Sequence, residues 1–172
     1  MKGTRSKMLK HLYFVCPSDH LEPIINGRFR DRHYFLSSLG NSIVFDQGVA
    51  DEVKQLILRH DITEITFVLA ENNAFATSSF QSHQLMNVSG LSEVQANFSK
   101  QRRLVEEFWQ TDDHQSLTIS YYLNLKINEL QQRLDFSGTP VHKITGKIYS
   151  RKAQEFEDIH SNLVCLDSFK MN

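Results

Sequence analysis

The chain has 172 residues, of which 40% are hydrophobic and 23% charged, so it fits a folded domain with a core rather than a disordered or fibrous protein. Its 19 basic and 20 acidic residues leave a net charge of −1, which gives no overall attraction to nucleic acid or to an anionic membrane. Two cysteines, Cys16 and Cys165, are too few for a disulfide framework and predict a cytoplasmic location. We predict one domain over residues 1–172, with a flexible N-terminus over 1–10. No segment is long and apolar enough to predict a membrane span.

Strand and helix patterns alternate along the chain. The aromatic and β-branched run 12–16, which ends at Pro17, predicts a buried first strand. The second strand has two alternatives, 34–36 and 42–45, on either side of the turn signal Gly40-Asn41. Further along, apolar periodicity predicts helices near 49–60, 93–110 and 117–134, strands near 63–69 and 141–149, and a short last strand at 163–166.

A strand, a helix and a strand joined by short links form a unit that implies a parallel sheet. We therefore predict an α/β fold of three layers, α/β/α, with a central, mostly parallel sheet. In such sheets, ligands bind at the carboxyl ends of the strands where the strand order reverses. The loops after Cys16 and Leu69 should occupy that position, so a functional site is expected there.

Four segments carry the chemistry-bearing residues and together suggest a family. They are Cys16-Pro17-Ser18-Asp19-His20, Leu36-Ser37-Ser38-Leu39-Gly40-Asn41, Glu71-Asn72-Asn73-Ala74 and Ile144-Thr145-Gly146-Lys147-Ile148-Tyr149. In this order and spacing the chain resembles the β-class carbonic anhydrases over roughly residues 11–156. In that family the corresponding segments read Cys-x-Asp-x-Arg, Arg-Asn-Ala-Gly-Asn, Gly-His-x-x-Cys-Gly and Ile-His-Gly-Trp-x-Tyr. The resemblance implies a β-carbonic-anhydrase-like fold.

The zinc ligands that the resemblance implies are mostly missing. A catalytic zinc takes three protein ligands, typically nitrogen or sulfur, and keeps a fourth position open. Cys16 matches the first cysteine, but Glu71 stands at the histidine and Ala74 at the second cysteine. We therefore predict that zinc and carbonic anhydrase activity are absent and that the protein has no cofactor.

The Asp-Arg pair of the family is also replaced. By the same comparison its positions fall on Ser18 and His20. Asp19 comes one position late, and in an extended segment one step turns a side chain to the opposite side. Elsewhere, Gly40 and Gly146 are predicted to allow a turn or a close backbone approach, and Tyr149 to be a core aromatic residue.

These residues define a candidate pocket for a small ligand or a protein partner of unknown identity. Its predicted members are Cys16, Ser18, Asp19, His20, Gly40, Asn41, Glu71 and Asn72. The favoured hypothesis is a non-catalytic, carbonic-anhydrase-like protein. One alternative is a diverged enzyme whose site, with or without a different metal, is rebuilt around four of these residues: Cys16, Asp19, His20 and Glu71.

A second alternative is a module that binds single-stranded nucleic acid through the basic and aromatic segment 28–33. Asp31 interrupts that segment and the net charge is negative, so the sequence disfavours nucleic acid. The resemblance also implies a homodimer. Tyr34, Phe35 and Leu36 would help to cover a sheet edge, although only about ten residues precede the first strand, where the family has a helical arm.

Overall fold

One five-stranded sheet organises the parts of the chain that the computed structural model describes, which are residues 8–77, 91–110 and 112–160. Its strand order is β2-β1-β3-β4-β5; the first four strands are parallel, and β5 runs antiparallel to β4. This confirms the predicted, mostly parallel sheet. The strands are β1 (Lys10–Val15), β2 (Arg32–Ser37), β3 (Glu64–Ala70), β4 (Lys143–Ser150) and β5 (Glu155–Asp158).

Helices in the described ranges are α1 (Glu22–Arg28), α2 (Gln47–His60), α3 (Leu91–Phe108) and α4 (His114–Arg133). The side chain of Asp46 caps α2 by accepting a hydrogen bond of 2.9 Å from the Val49 N–H. Asp113 caps α4 in the same way through the Ser116 N–H, at 3.1 Å. Within these ranges, none of the helices has the length and apolar character needed to cross a bilayer.

Alternation along the strands gives the sheet two apolar faces. On one face Phe14 and Phe67 stack with ring centroids 4.4 Å apart, and side chains of α2, α3 and α4 join the same core. On the other face Val15 and Val68 pack with Ile25 of α1. Burying each of these side chains contributes about 1.5–3 kcal/mol. The predicted three-layer arrangement, with helices on both faces of the sheet, is therefore confirmed.

The alternative second strand at 42–45 is wrong, because β2 spans Arg32–Ser37 and includes 34–36. The segment 42–45 lies against α4, which supplies two of its backbone hydrogen-bond partners, while the Ser42 and Ile43 N–H groups donate to the turn before it. The Phe45 N–H donates to Glu129 Oε1 at 3.1 Å, and Lys126 Nζ donates to the Ile43 carbonyl at 2.6 Å. These bonds replace those that a sheet would have supplied.

Two elements, α1 and β5, were not predicted from the sequence, and the predicted last strand cannot be compared with the structure. Helix α1 has only seven residues and begins with Glu22-Pro23, a proline position that favours a helix start. Strand β5 carries a single apolar residue, Phe156, which pairs with Tyr149 of β4. The last strand predicted at 163–166 lies outside the described residues. The close approach predicted at Gly146 is present, since a Cβ there would lie 2.5 Å from Ile159 Cδ1.

Candidate functional site

The loops that follow β1 and β3 meet at the carboxyl edge of the sheet. Because β1 pairs with β2 on one side and β3 on the other, the chain order reverses between β1 and β3. A single 3-10 turn, Pro17–Asp19, follows β1, and turns over 71–77 follow β3. The Glu71 N–H donates to the Tyr149 carbonyl at 3.0 Å, so β4 is tied to the same edge. The two loops singled out from the sequence therefore face each other.

The sulfur of Cys16 is enclosed by neighbouring polar groups. Cys16 is fully buried, its Sγ accepts a hydrogen bond of 3.0 Å from the Gly40 N–H, and it lies 3.0 Å from Ser18 Oγ. A reactive thiol needs solvent access and a stabilised thiolate. The fully buried Cys16 lacks that access, so its geometry fits a structural residue.

Gly40 and Asn41 attach the loop after β2 to the sheet and to α4. Gly40 has φ +58°, and its carbonyl accepts a hydrogen bond of 2.7 Å from the Tyr122 hydroxyl. Asn41 is fully buried and its Nδ2 donates to the Val68 carbonyl at 3.0 Å. A Cβ on Gly40 would lie 3.1 Å from Val94 and 3.2 Å from Phe75. The predicted turn and close approach at Gly40 are both present.

Asp19 is the most strongly bonded acidic residue at this edge. It is 3% exposed, and its carboxylate accepts one hydrogen bond from the Ala70 N–H at 2.8 Å and one from Asn73 Nδ2 at 2.9 Å. The segment after Cys16 is a 3-10 turn and not the extended chain assumed from the sequence, so the alternation of sides expected for Asp19 does not apply. The turn directs the carboxylate onto the loop after β3.

Opposing effects act on the Asp19 carboxyl. Burial raises its pKa above the usual value. The Ala70 N–H, the Asn73 amide and the positive charges of Arg151 and His20 oppose the rise without cancelling it.

Arg151, which directly follows β4, bridges the loops after β1 and β3. Its guanidinium donates to the Asp19 carbonyl, and its Nε donates to Asn72 Oδ1 at 3.2 Å. Neither Arg151 nor Asn73 was identified from the sequence. Asn73 follows the chosen Asn72, and only the backbone conformation of the turn decides which of the two amides faces inward.

His20 and Glu71 do not join the Cys16 cluster. His20 is exposed in the left-handed region, with φ 52°, and Ser18 is exposed apart from its contact with the sulfur. Glu71 lines a separate cavity of about 390 Å³ near the start of α4, together with Asp113, Gln115, Ser116, Ile148, Ser150 and Glu157. Among the residues described, none form a group of three or more His, Cys, Asp or Glu side chains able to hold a metal ion. The predicted pocket residues are thus divided between an arrangement around Cys16, another around Asp19 and, for Glu71, the cavity near the start of α4.

Comparison with known proteins identifies the fold. No protein-family model matches the sequence, and no curated protein matches it significantly. The β-carbonic anhydrase CafA of Aspergillus fumigatus superposes with a TM-score of 0.66 at 12% identity, covering 96% of this chain and 85% of that chain. A mutant of the β-carbonic anhydrase CafD from the same fungus gives 0.63 at 14% identity, covering 91% and 92%. One of two tetrameric β-carbonic anhydrases of Sordaria macrospora gives a TM-score of 0.63 at 9% identity, covering 90% of this chain and 82% of that chain.

The chain therefore has the β-carbonic anhydrase fold. The resemblance read from four short segments is confirmed at the level of the fold. Identities of 9–14% establish the fold alone and leave the chemistry to be argued from the residues of this chain.

Proposed function

We propose that this chain is a non-catalytic protein with the β-carbonic anhydrase fold, which binds no zinc at Cys16 and acts by binding a small ligand or a protein partner. The observation that carries the proposal is the enclosed sulfur of Cys16, next to a loop with Glu71 and Ala74 at the positions of the family's other ligands. These residues do not fit a zinc ion.

The residues at the matched positions differ from a zinc site in ligand chemistry as well as in ligand position. A methyl group at Ala74 offers no lone pair, and Glu71 lines a cavity with two other acidic residues, Asp113 and Glu157. Carbonic anhydrase chemistry depends on a metal that lowers the pKa of a bound water to about 7. The side chains at the matched positions, Cys16, Glu71 and Ala74, cannot supply three converging ligands.

Zinc analysis of the purified protein tests this proposal. Protein prepared without added metal should contain no stoichiometric zinc and should hydrate carbon dioxide no faster than buffer alone, because two of the three ligands are replaced. Elemental analysis and a stopped-flow hydration assay supply the two measurements. The matched control is Cys16→Ser, which replaces the one retained sulfur ligand with a hydroxyl of similar size. One equivalent of zinc in the wild type that is lost in Cys16→Ser would contradict the proposal.

We also propose that the protein forms a homodimer through the edge strand β2. Among the residues that the structure describes, β2 pairs with β1 on one side only, and Tyr34, Phe35 and Leu36 along it are half-buried. An unpaired edge is normally covered, because its free backbone groups recruit other strands. The Sordaria macrospora proteins are tetrameric, which is compatible with association.

Light scattering at micromolar concentration measures the oligomeric state. A dimer should give twice the 20.0 kDa mass of the chain. Replacing Phe35 with lysine should lower the measured mass, because a charge would then lie in the apolar interface. A wild-type mass of 20.0 kDa that persists on concentrating the sample would rule the dimer out.

A further inference from the structure

Two fixed hydrogen-bond donors face one carboxylate at the carboxyl edge of the sheet. The Ala70 N–H donates to Asp19 Oδ2 at 2.8 Å, and Asn73 Nδ2 donates to Asp19 Oδ1 at 2.9 Å. Each donor bonds a different oxygen. Ala70 and Asn73 are both fully buried, so water does not compete for these bonds.

The orientation of both donors is set without help from Asp19. The Ala70 N–H belongs to the last residue of β3, which pairs with Tyr149 of β4. Asn73 donates its own N–H to the Ala70 carbonyl at 2.9 Å, and its Oδ1 accepts from the Phe75 N–H at 3.0 Å. With its Oδ1 held in this way, the amide presents Nδ2 to the same point whether or not a carboxylate is there.

A positive charge lies beside the two donors. The guanidinium of Arg151 donates to the Asp19 backbone carbonyl and to Asn72, so it is held close to the carboxylate without bonding its oxygens. Preorganised donors with a nearby guanidinium are the features by which proteins bind carboxylates.

We propose that Ala70, Asn73 and Arg151 form a carboxylate-binding cradle, and that the side chain of Asp19 is its tethered occupant. The ligand class is a small planar carboxylate, such as formate or acetate. In the wild type the cradle is filled from within the chain. Removing the side chain leaves two buried donors unpaired beside a cavity of carboxylate size, which a carboxylate from solution can enter. The cradle does not include Cys16, so this inference is independent of whether zinc binds.

Rescue of Asp19→Ala by formate tests the cradle. Thermal unfolding at pH 7 is followed with increasing sodium formate, with sodium chloride replaced to hold the ionic strength constant. The variant should unfold at a lower temperature than the wild type. At ten times its Kd, formate should raise the midpoint of the variant by about 3–5 °C for a chain of this size. The wild type should show no shift relative to chloride, because its cradle is occupied.

Two control variants separate binding from a general salt effect. Asp46→Ala removes an exposed capping carboxylate and leaves no enclosed cavity, so formate should not stabilise it. Asp19→Ala combined with Asn73→Ala lacks one donor and should lose the formate shift. Equal shifts in all variants, or no formate-specific shift in Asp19→Ala, would overturn the proposal. If Asp19→Ala does not accumulate as folded protein, refolding from urea replaces melting: formate should raise the folded yield above that in chloride, and equal yields refute the cradle.

Discussion

Substituting alanine for Gly40 should lower the free energy of unfolding by about 3 kcal/mol. Part of the loss is backbone strain, because Gly40 has φ +58°, where a side chain costs about 1–2 kcal/mol. The rest comes from crowding. The new Cβ would lie 3.1 Å from Val94 Cγ1 and 3.2 Å from Phe75 Cγ, and both neighbours are buried and held in the core. Urea unfolding followed by circular dichroism measures the loss.

Gly138 provides the matched control. It has φ +73°, but among the described residues no atom beyond its two chain neighbours lies within 4 Å of the position that its Cβ would take. Gly138→Ala should therefore cost only the strain, about 1 kcal/mol. Equal losses at the two glycines would show that the contacts of Gly40 contribute nothing. The two glycine variants also test the surroundings of Cys16, because the Gly40 N–H donates a hydrogen bond to the sulfur of Cys16.

A buried histidine at the opposite end of the sheet should make the fold sensitive to acid. The ring of His11 stacks on Tyr13 with centroids 4.2 Å apart, and its Nε2 lies 2.7 Å from Thr66 Oγ1. Burial, with smaller contributions from the positive charges of His33, Lys143 and Lys147, lowers the pKa of His11 to about 4. Glu64 Oε2, 3.9 Å from Nδ1, is too far away to form a hydrogen bond with the charged ring.

Stability should therefore fall by about 3 kcal/mol as the pH drops from about 6.5 to about 4 because of His11 alone. The unfolded chain gains a proton on this histidine below its ordinary pKa of 6.5, whereas the folded chain stays neutral until about 4. The stability contribution is complete above 6.5 and is lost through this window. Urea unfolding of the wild type and His11→Gln at several pH values tests the expectation, since glutamine keeps a polar group near Thr66 and does not titrate.

His160→Gln is the control for this comparison. His160 is exposed and its hydrogen bonds to Ser120 and Asn124 are made by backbone atoms, so its replacement should leave the acid sensitivity of the wild type unchanged. If His11→Gln loses stability with falling pH as steeply as the wild type, the buried imidazole is not the cause. His33, whose pKa burial also lowers, would then be the next group to replace.

Strong local patterns allowed most of the sheet to be predicted from the sequence. The apolar runs that form β1 and β3 clearly indicate strands, because both strands are buried on both faces. Helix α1 has neither the length nor the periodicity that would indicate a helix, and its short apolar side packs in one cluster with Tyr13, Val15, Val68 and Tyr149. Strand β5 is mostly acidic and forms because β4 offers an edge for it. Such elements depend on tertiary partners that a sequence pattern does not contain.

The site was predictable in position but not in detail. The switch in strand order placed the loops after β1 and β3 together, and the structure agrees. The contacts of Asp19 with the loop after β3 depend on one 3-10 turn, to which the alternation of an extended chain does not apply. Arg151, the partner of Asp19, lies 132 residues away from it in sequence. It donates to a backbone carbonyl and to an amide oxygen, and neither contact can be recognised from the residue types in the sequence.

The sheet order also has a consequence for folding on the ribosome. β1 pairs with β2 and β3, all of which emerge early, whereas the partner of β3 on its other side is β4, which begins at Lys143. At about 5–20 residues per second, several seconds separate the synthesis of β3 from that of β4. During that interval we expect the nascent chain to expose the edge of β3, which is apolar on both faces and prone to capture other strands. Arg151 follows β4, so the loop that holds Asp19 is secured only in the last stage of folding.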